Sequence, residues 1–187
     1  MLFAVLMRIA ICAALLALPS LAAARPITAG VGVGRIQAKA DADSGDAYDT
    51  RQVFGRLGIT SRVGAQLELG RITTGLSGTE MKTGTLLLVV DLASSGRLMP
   101  MMFGGLGVDR ISSPYGSDIH GSHKEGGFAL EYRADGGFVI GADIRLGGIS
   151  IDPQYEIQPV AGTLALYAPT AESGEYRSAR LYAAIRF

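Results

Sequence analysis

The amino-acid sequence predicts an all-β fold, an eight-stranded antiparallel up-and-down transmembrane β-barrel preceded by a cleaved signal peptide. Three observations predict it. In the last twelve residues, 176–187, Phe187, Ile185, Ala183, Leu181 and Ala179 fall on one face, and Arg186, Ala184, Tyr182, Arg180 and Ser178 on the other. Residues 1–24 are unlike everything that follows. Hydrophobic residues reach 48% of the chain, yet beyond residue 24 an apolar run such as 86–90 is far too short for a helical span of about 20 residues. Apolar content dispersed in alternation is what a barrel wall requires, because every second residue faces lipid.

The N-terminal segment has a basic start at Arg8, an apolar centre over 9–18, and small residues Ala22, Ala23 and Ala24 ahead of Arg25 and Pro26. That is the plan of a secretory signal cut after Ala24, with Met7 an alternative start. The only cysteine, Cys12, lies inside it. Residues 25–187 therefore contain no disulfide and no thiolate metal site, and they suit a single domain. Ile11 before Cys12, where a small residue is expected, argues against a lipoprotein attachment point. Formal charge is balanced over the chain, and removing 1–24 takes away only the cation Arg8. Nothing in this balance invites nucleic acid.

In chain order, 26–38 places Ile27, Ala29, Val31 and Val33 opposite Thr28, Gly30, Gly32 and Gly34. Residues 39–50 are polar and acidic, a loop. Val53, Leu57 and Ile59 oppose Arg56; after a turn near Ser61, Val63, Ala65, Leu67 and Leu69 alternate with Gly64, Gln66, Glu68 and Gly70, completing a hairpin. Residues 73–84 read as a second polar connection. The fourth strand, 85–92, is too uniformly apolar to assign a face. A short turn leads to the fifth, 98–108, rich in methionine, and 109–126 reads as a long polar loop. Phe128, Leu130 and Tyr132 then alternate with Ala129, Glu131 and Arg133. Asp135-Gly136 marks a tight turn, and Phe138, Ile140, Ala142, Ile144 and Leu146 alternate with Val139, Gly141, Asp143 and Arg145.

The connections run long, short, long, short, long, short, long. Membrane barrels have short turns at one end and long loops at the other, and a soluble sandwich has no reason to sort its loops this way. In the last connection, 147–175, residues 163–168 look extended, and an outer hairpin is preferred over two further wall strands. In this register Arg56, Glu68, Glu131, Arg133, Asp143, Arg145, Arg180 and Arg186 all lie on the inward face. Eight strands enclose a space that side chains can just fill. Charges packed there must pair, which predicts a lumen ion-pair network and no wide pore.

On these residues the chain resembles the small eight-stranded outer-membrane barrel family that includes the OmpA transmembrane domain and the OmpX-like proteins. Residues 126–145, GGFALEYRADGGFVIGADIR, are especially similar to that family's penultimate hairpin. The resemblance implies location in the outer membrane of a Gram-negative bacterium and contact with its lipid and lipopolysaccharide. It also implies recognition of the last strand by barrel-insertion machinery through Leu181, Ala183, Ile185 and Phe187. Members are structural proteins, adhesins or receptors, and a few modify lipid. His120, Ser122, His123 and Glu125 supply the residue types of a base-activated serine, and His-x-Ser resembles the pair of outer-membrane lipid A deacylases. However, His123 stands where that family has Asn. The expectation is a non-enzymatic outer-membrane protein without cofactor or metal. The alternatives are a lipid-modifying enzyme using His120 and Ser122, and a soluble periplasmic barrel binding an apolar ligand, which the outward apolar face opposes.

Overall fold

The structure, a computed structural model, describes residues 26–39, 47–73, 80–93, 95–112, 119–151, 156–160, 163–167 and 173–187. The signal segment and the acidic residues Asp41, Asp43 and Asp46 lie outside them. Strands β1 (Ile27–Lys39), β2 (Ala47–Gly58), β3 (Val63–Thr73), β4 (Glu80–Asp91), β5 (Leu98–Ser112), β6 (Ile119–Arg133) and β7 (Phe138–Ile151) each pair antiparallel with the next. Two short strands, β8 (Glu156–Val160) and β9 (Thr163–Tyr167), pair with one another as a separate hairpin. Strand β10 (Ser173–Arg186) then joins β7 to β1 and closes the barrel. Closure leaves no wall strand with an unpaired edge, the condition for a sheet to stand in lipid. The extended segment near 163 is thus an outer hairpin, and the wall keeps eight strands.

Register fixes the tilt. Hydrogen-bonded partners lead from Ala29 through Gly55, Leu67, Leu86, Leu106, Lys124, Gly148 and Glu175 back to β1 at Lys39, ten residues above the start. Ten residues of rise around eight strands spaced about 4.8 Å apart set a tilt of about 40°. At that tilt the outward residues of β5 from Leu98 to Val108 climb about 25 Å, the height of a membrane barrel's apolar band. The band continues around the wall through Val31, Leu67, Leu86, Phe128, Ile144 and Leu181, all exposed. An apolar surface of this extent is stable only in lipid.

Several strands are longer than alternation predicts. Residues 47–51, 71–73, 80–84, 109–112 and 119–126 are strand rather than loop, leaving connections of 40–46, 74–79 and 113–118. Above the apolar band both faces of the wall meet water, so polar residues occupy both parities and the period-two signal ends before the ladder does. Strand β4 resolves into Leu86 and Leu88 outward, Leu87 and Val89 inward. Its inward residues join Met101, Phe103 and Ala129 in an apolar cluster within the lumen, which is why both of its faces are apolar.

A second inward cluster joins Phe54, Val139, Tyr182 and Ala184, with the Phe54 and Tyr182 rings edge to face at 5.5 Å. Glycine makes room for such rings in a narrow barrel. A side chain at Gly141 would collide with Tyr182, its cross-strand partner, and one at Gly107 with His123. At the turn-side end, Gly136 and Gly137 both adopt φ +86°, the left-handed conformation that tight hairpin turns require.

Candidate functional site

The inward faces of β2 to β7 and β10 carry charged residues, and the register stacks most of them in two tiers. In the turn-side tier, the Arg56 guanidinium donates to Glu131 at 2.7 Å and to Gln66 at 2.6 Å. Arg133 donates to both oxygens of Asp91 at 3.0 Å and to Glu131 at 3.0 Å. The Tyr182 hydroxyl donates to the same Glu131 at 3.1 Å. Glu131, 1% exposed, thus accepts from three strands' side chains.

In the loop-side tier, Glu68 accepts from Arg145 at 2.8 and 2.9 Å and from Arg180 at 2.9 Å. Asp143 accepts from Arg145 at 3.0 Å and from Arg180 at 2.7 Å. Glu125 pairs with Arg145 and accepts from the Tyr176 hydroxyl at 3.0 Å. Gln66 joins the tiers, accepting from Arg56 and donating to Glu68 at 2.5 Å. Arg145 also stacks on Phe103, 4.7 Å from its ring centroid.

The topology makes these pairs a plug. Glu68 on β3 and Arg145 on β7 stand four strands apart in a ring of eight, on opposite walls, as do Arg56 on β2 and Glu131 on β6. Each pair therefore crosses the full lumen. Satisfied bidentate geometry is what allows so many buried charges to persist, since each ion left unpaired there costs several kcal/mol.

Arg186 departs from the expected network. It has the inward parity of β10, but among the described residues it makes no ion pair. The nearby carboxylates Glu131 and Asp91 are already engaged by Arg56 and Arg133, and the Arg186 backbone N–H donates to Gly137 at 2.7 Å.

The cluster at 120–125 is not a loop, and β6 divides it. His120 and Ser122 point outward and exposed; His123 and Glu125 point into the lumen. The pair that resembles a deacylase is thus separated by the sheet from Glu125, and the two histidines cannot share a metal ion. His123 instead contacts Asp109 through Nδ1 at 2.8 Å and Thr85 through Nε2 at 2.9 Å. Hydroxyl, imidazole and carboxylate stand in the order of an activated nucleophile, with Thr85 only 4% exposed and inside the barrel. This trio flanks a cavity of about 250 Å³ lined also by Thr50, Gln52 and Glu125, which ends at the Glu68 and Arg145 tier. Asp109, His123, Glu125 and Thr85 were absent from the sequence-predicted lumen set. Continuing the parity of Phe103 and Glu131 along their strands would have found the first three.

Leu181, Ala183, Ile185 and Phe187 all lie on the outward side of β10, Phe187 being 77% exposed with its backbone N–H bonded to Ile27 at 2.8 Å.

A closed antiparallel eight-stranded barrel, apolar outside, charged and plugged inside, with all long connections at one end, has the architecture of the small bacterial outer-membrane barrels. Solved structures of that class match it along nearly their whole length. Neisserial surface protein A is 14% identical, with 86% of this chain and 95% of that one covered at TM-score 0.57. The N-terminal β-barrel domain of Pseudomonas aeruginosa OprF is 17% identical, covering 84% and 97% at TM-score 0.52. The attachment invasion locus protein Ail of Yersinia pestis, solved with the heparin analogue sucrose octasulfate, is 16% identical, covering 87% and 99% at TM-score 0.52. No protein-family model matches the sequence, and no curated protein is significantly similar to it.

Proposed function

We propose that this protein is a non-enzymatic integral outer-membrane protein with a structural, adhesive or surface-interaction role, whose lumen does not conduct and whose work is done by its outer face and loop end. The observation that carries this reading is the pair of ion bridges, Glu68 to Arg145 and Arg56 to Glu131, that cross the lumen at two heights. A barrel that spends its interior on fully engaged charge pairs has rigidity as its product, and it presents a fixed frame for whatever the four loop-side connections meet. Residues Leu181, Ala183, Ile185 and Phe187 serve as the insertion signal in this reading, because they are the outward edge of the last strand to close the wall.

Four measurements test it together. The expressed protein fractionates with the outer membrane and shows a band whose gel mobility changes on boiling. In planar bilayers it gives no open-channel steps at moderate voltage. Steady large-conductance steps from the wild-type protein would overturn the closed lumen. A change in the lipid A profile abolished by Ser122→Ala or His120→Ala would establish catalysis instead.

A further inference from the structure

The wall carries a level ring of outward cations that period-two reading alone does not reveal. On seven of the eight wall strands, the first charged outward residue on the loop side of the apolar band is basic: Arg35, Arg51, Arg71, Lys82, Arg110, Lys124 and Arg177. In the register Arg51, Arg71, Lys82 and Arg110 share one row while Arg35, Lys124 and Arg177 fall on others, because hydrogen-bonded rows climb around a tilted barrel. The ten-residue rise over eight strands lifts each row by about 1.25 residues per strand, and correcting for it brings the seven within about 10 Å of height. Six of them, all but Arg110, fall within about 6 Å.

On part of the ring the cations are direct neighbours. Arg51 is the cross-strand partner of Arg71, Arg71 of Lys82, and Lys82 of Arg110. Like charges placed opposite one another destabilise a sheet, so local sheet energetics do not explain the row. Among the described residues the outward carboxylates of this rim number three against the seven cations: Asp49 bonds Arg35 at 3.2 Å, Glu80 engages Arg71 and lies 4.0 Å from Lys82, and Glu175 is exposed two residues beyond Arg177 on the same face of β10. Both of these bonded arginines are well exposed, so their pairs leave guanidinium nitrogens open to the surroundings. Arg51 has no ion-pair partner among the described residues. The opposite rim of the band is built differently. Its outward strand residues include Tyr132, Phe138, Val63 and Ile185, and none is charged; Arg62 and Arg97 lie in the turns beyond. Short turns face the periplasm and long connections the exterior, so the basic rim is the outer-leaflet rim.

We propose that this collar binds the phosphate groups of a phosphorylated, multi-acyl glycolipid of the outer leaflet, lipopolysaccharide. Acyl chains lie along the apolar band immediately below, and the phosphates sit at the level where guanidinium groups supply paired donors to phosphate oxygens. The proposal rests on the outer-membrane reading and deepens it by naming the lipid-facing residues.

The test uses the folded full-length protein in uncharged detergent, titrated with bisphosphorylated lipid A and with the same lipid after phosphatase treatment, and read by native mass spectrometry. Wild-type protein is expected to bind the phosphorylated form at least tenfold more tightly, with affinity falling steeply as salt rises. The variant Arg51→Gln/Arg71→Gln/Lys82→Gln is expected to lose that preference while keeping its heat-modifiable band. A control, Arg62→Gln/Arg97→Gln, keeps the preference. Equal binding of both lipid forms, a salt-independent wild-type affinity, an unchanged triple variant, or displacement by millimolar inorganic phosphate alone would each overturn the collar. The wild-type salt and phosphatase arms decide the matter even where the triple variant fails to fold. Failure of the outer-membrane reading shows separately, as wild-type protein with no heat-modifiable band.

Discussion

Replacing Glu131 by Gln tests whether the lumen network carries the stability of the barrel. The substitution keeps volume and hydrogen-bonding capacity but removes one charge from a side chain that holds Arg56 at 2.7 Å, Arg133 at 3.0 Å and the Tyr182 hydroxyl at 3.1 Å. Arg133 retains its bidentate Asp91. Arg56 retains no carboxylate among its hydrogen-bond partners, only the neutral Gln66 and the Met101 sulfur at 3.5 Å, with the Phe54 ring at 5.9 Å. Removing one partner of a buried pair costs about 3–5 kcal/mol, and the surviving amide contacts favour the lower end. About 3 kcal/mol is roughly a hundredfold in the folding equilibrium. The assay is urea-induced unfolding in phospholipid vesicles, followed by the heat-modifiable band and tyrosine fluorescence, in a cycle with Arg56→Met. Arg56→Met/Glu131→Leu, which removes both charges, should regain most of the loss, because a pair replaced by apolar groups is often neutral or stabilising. A loss under about 1 kcal/mol for Glu131→Gln, or strictly additive single variants, would refute the reasoning.

At the 134–137 turn, Gly136 and Gly137 share φ +86°, but only Gly137 meets a backbone carbonyl, that of Arg186, where a Cβ would stand. Gly136→Ala should therefore cost about 1 kcal/mol and Gly137→Ala clearly more, with the order read by urea midpoints. Leu181 faces lipid in the middle of the band, so Leu181→Arg should destabilise the barrel by about 2–4 kcal/mol in vesicles, while Arg51→Leu at the band's edge should cost under about 1. Deleting Phe187 should lower the amount of heat-modifiable protein in the outer membrane several-fold in cells, while the purified chain still folds in detergent; equal assembly in cells would remove the terminal residue from the insertion signal.

Much of the wall was legible because a strand has a strict period of two and lipid tolerates charge on only one face. That is why the parity of Arg56, Glu68, Asp143 and Arg180 could be read from their neighbours, and why β3 and β7 were clear. Strand β4 was not, since Leu87 and Val89 pack an apolar pocket of the lumen while Leu86 and Leu88 face outward. Nor were the loop-side halves of β5 and β6, where water on both sides removes the pattern. Reading those halves as a loop grouped His120 with Glu125, residues that the extended strand sends to opposite faces.

The sequence by itself determined the faces of most wall strands and the end of the barrel that bears the long connections, because each depends only on neighbours along the chain. The tertiary structure decided which carboxylate each arginine meets, that Arg186 stands apart from the ion pairs, that β8 and β9 leave the wall at eight strands, and that seven cations scattered over 142 residues, from Arg35 to Arg177, form one collar. All of these follow from the ten-residue shear that closes the sheet. Shear is a sum over every register in the ring, and no single strand contains it.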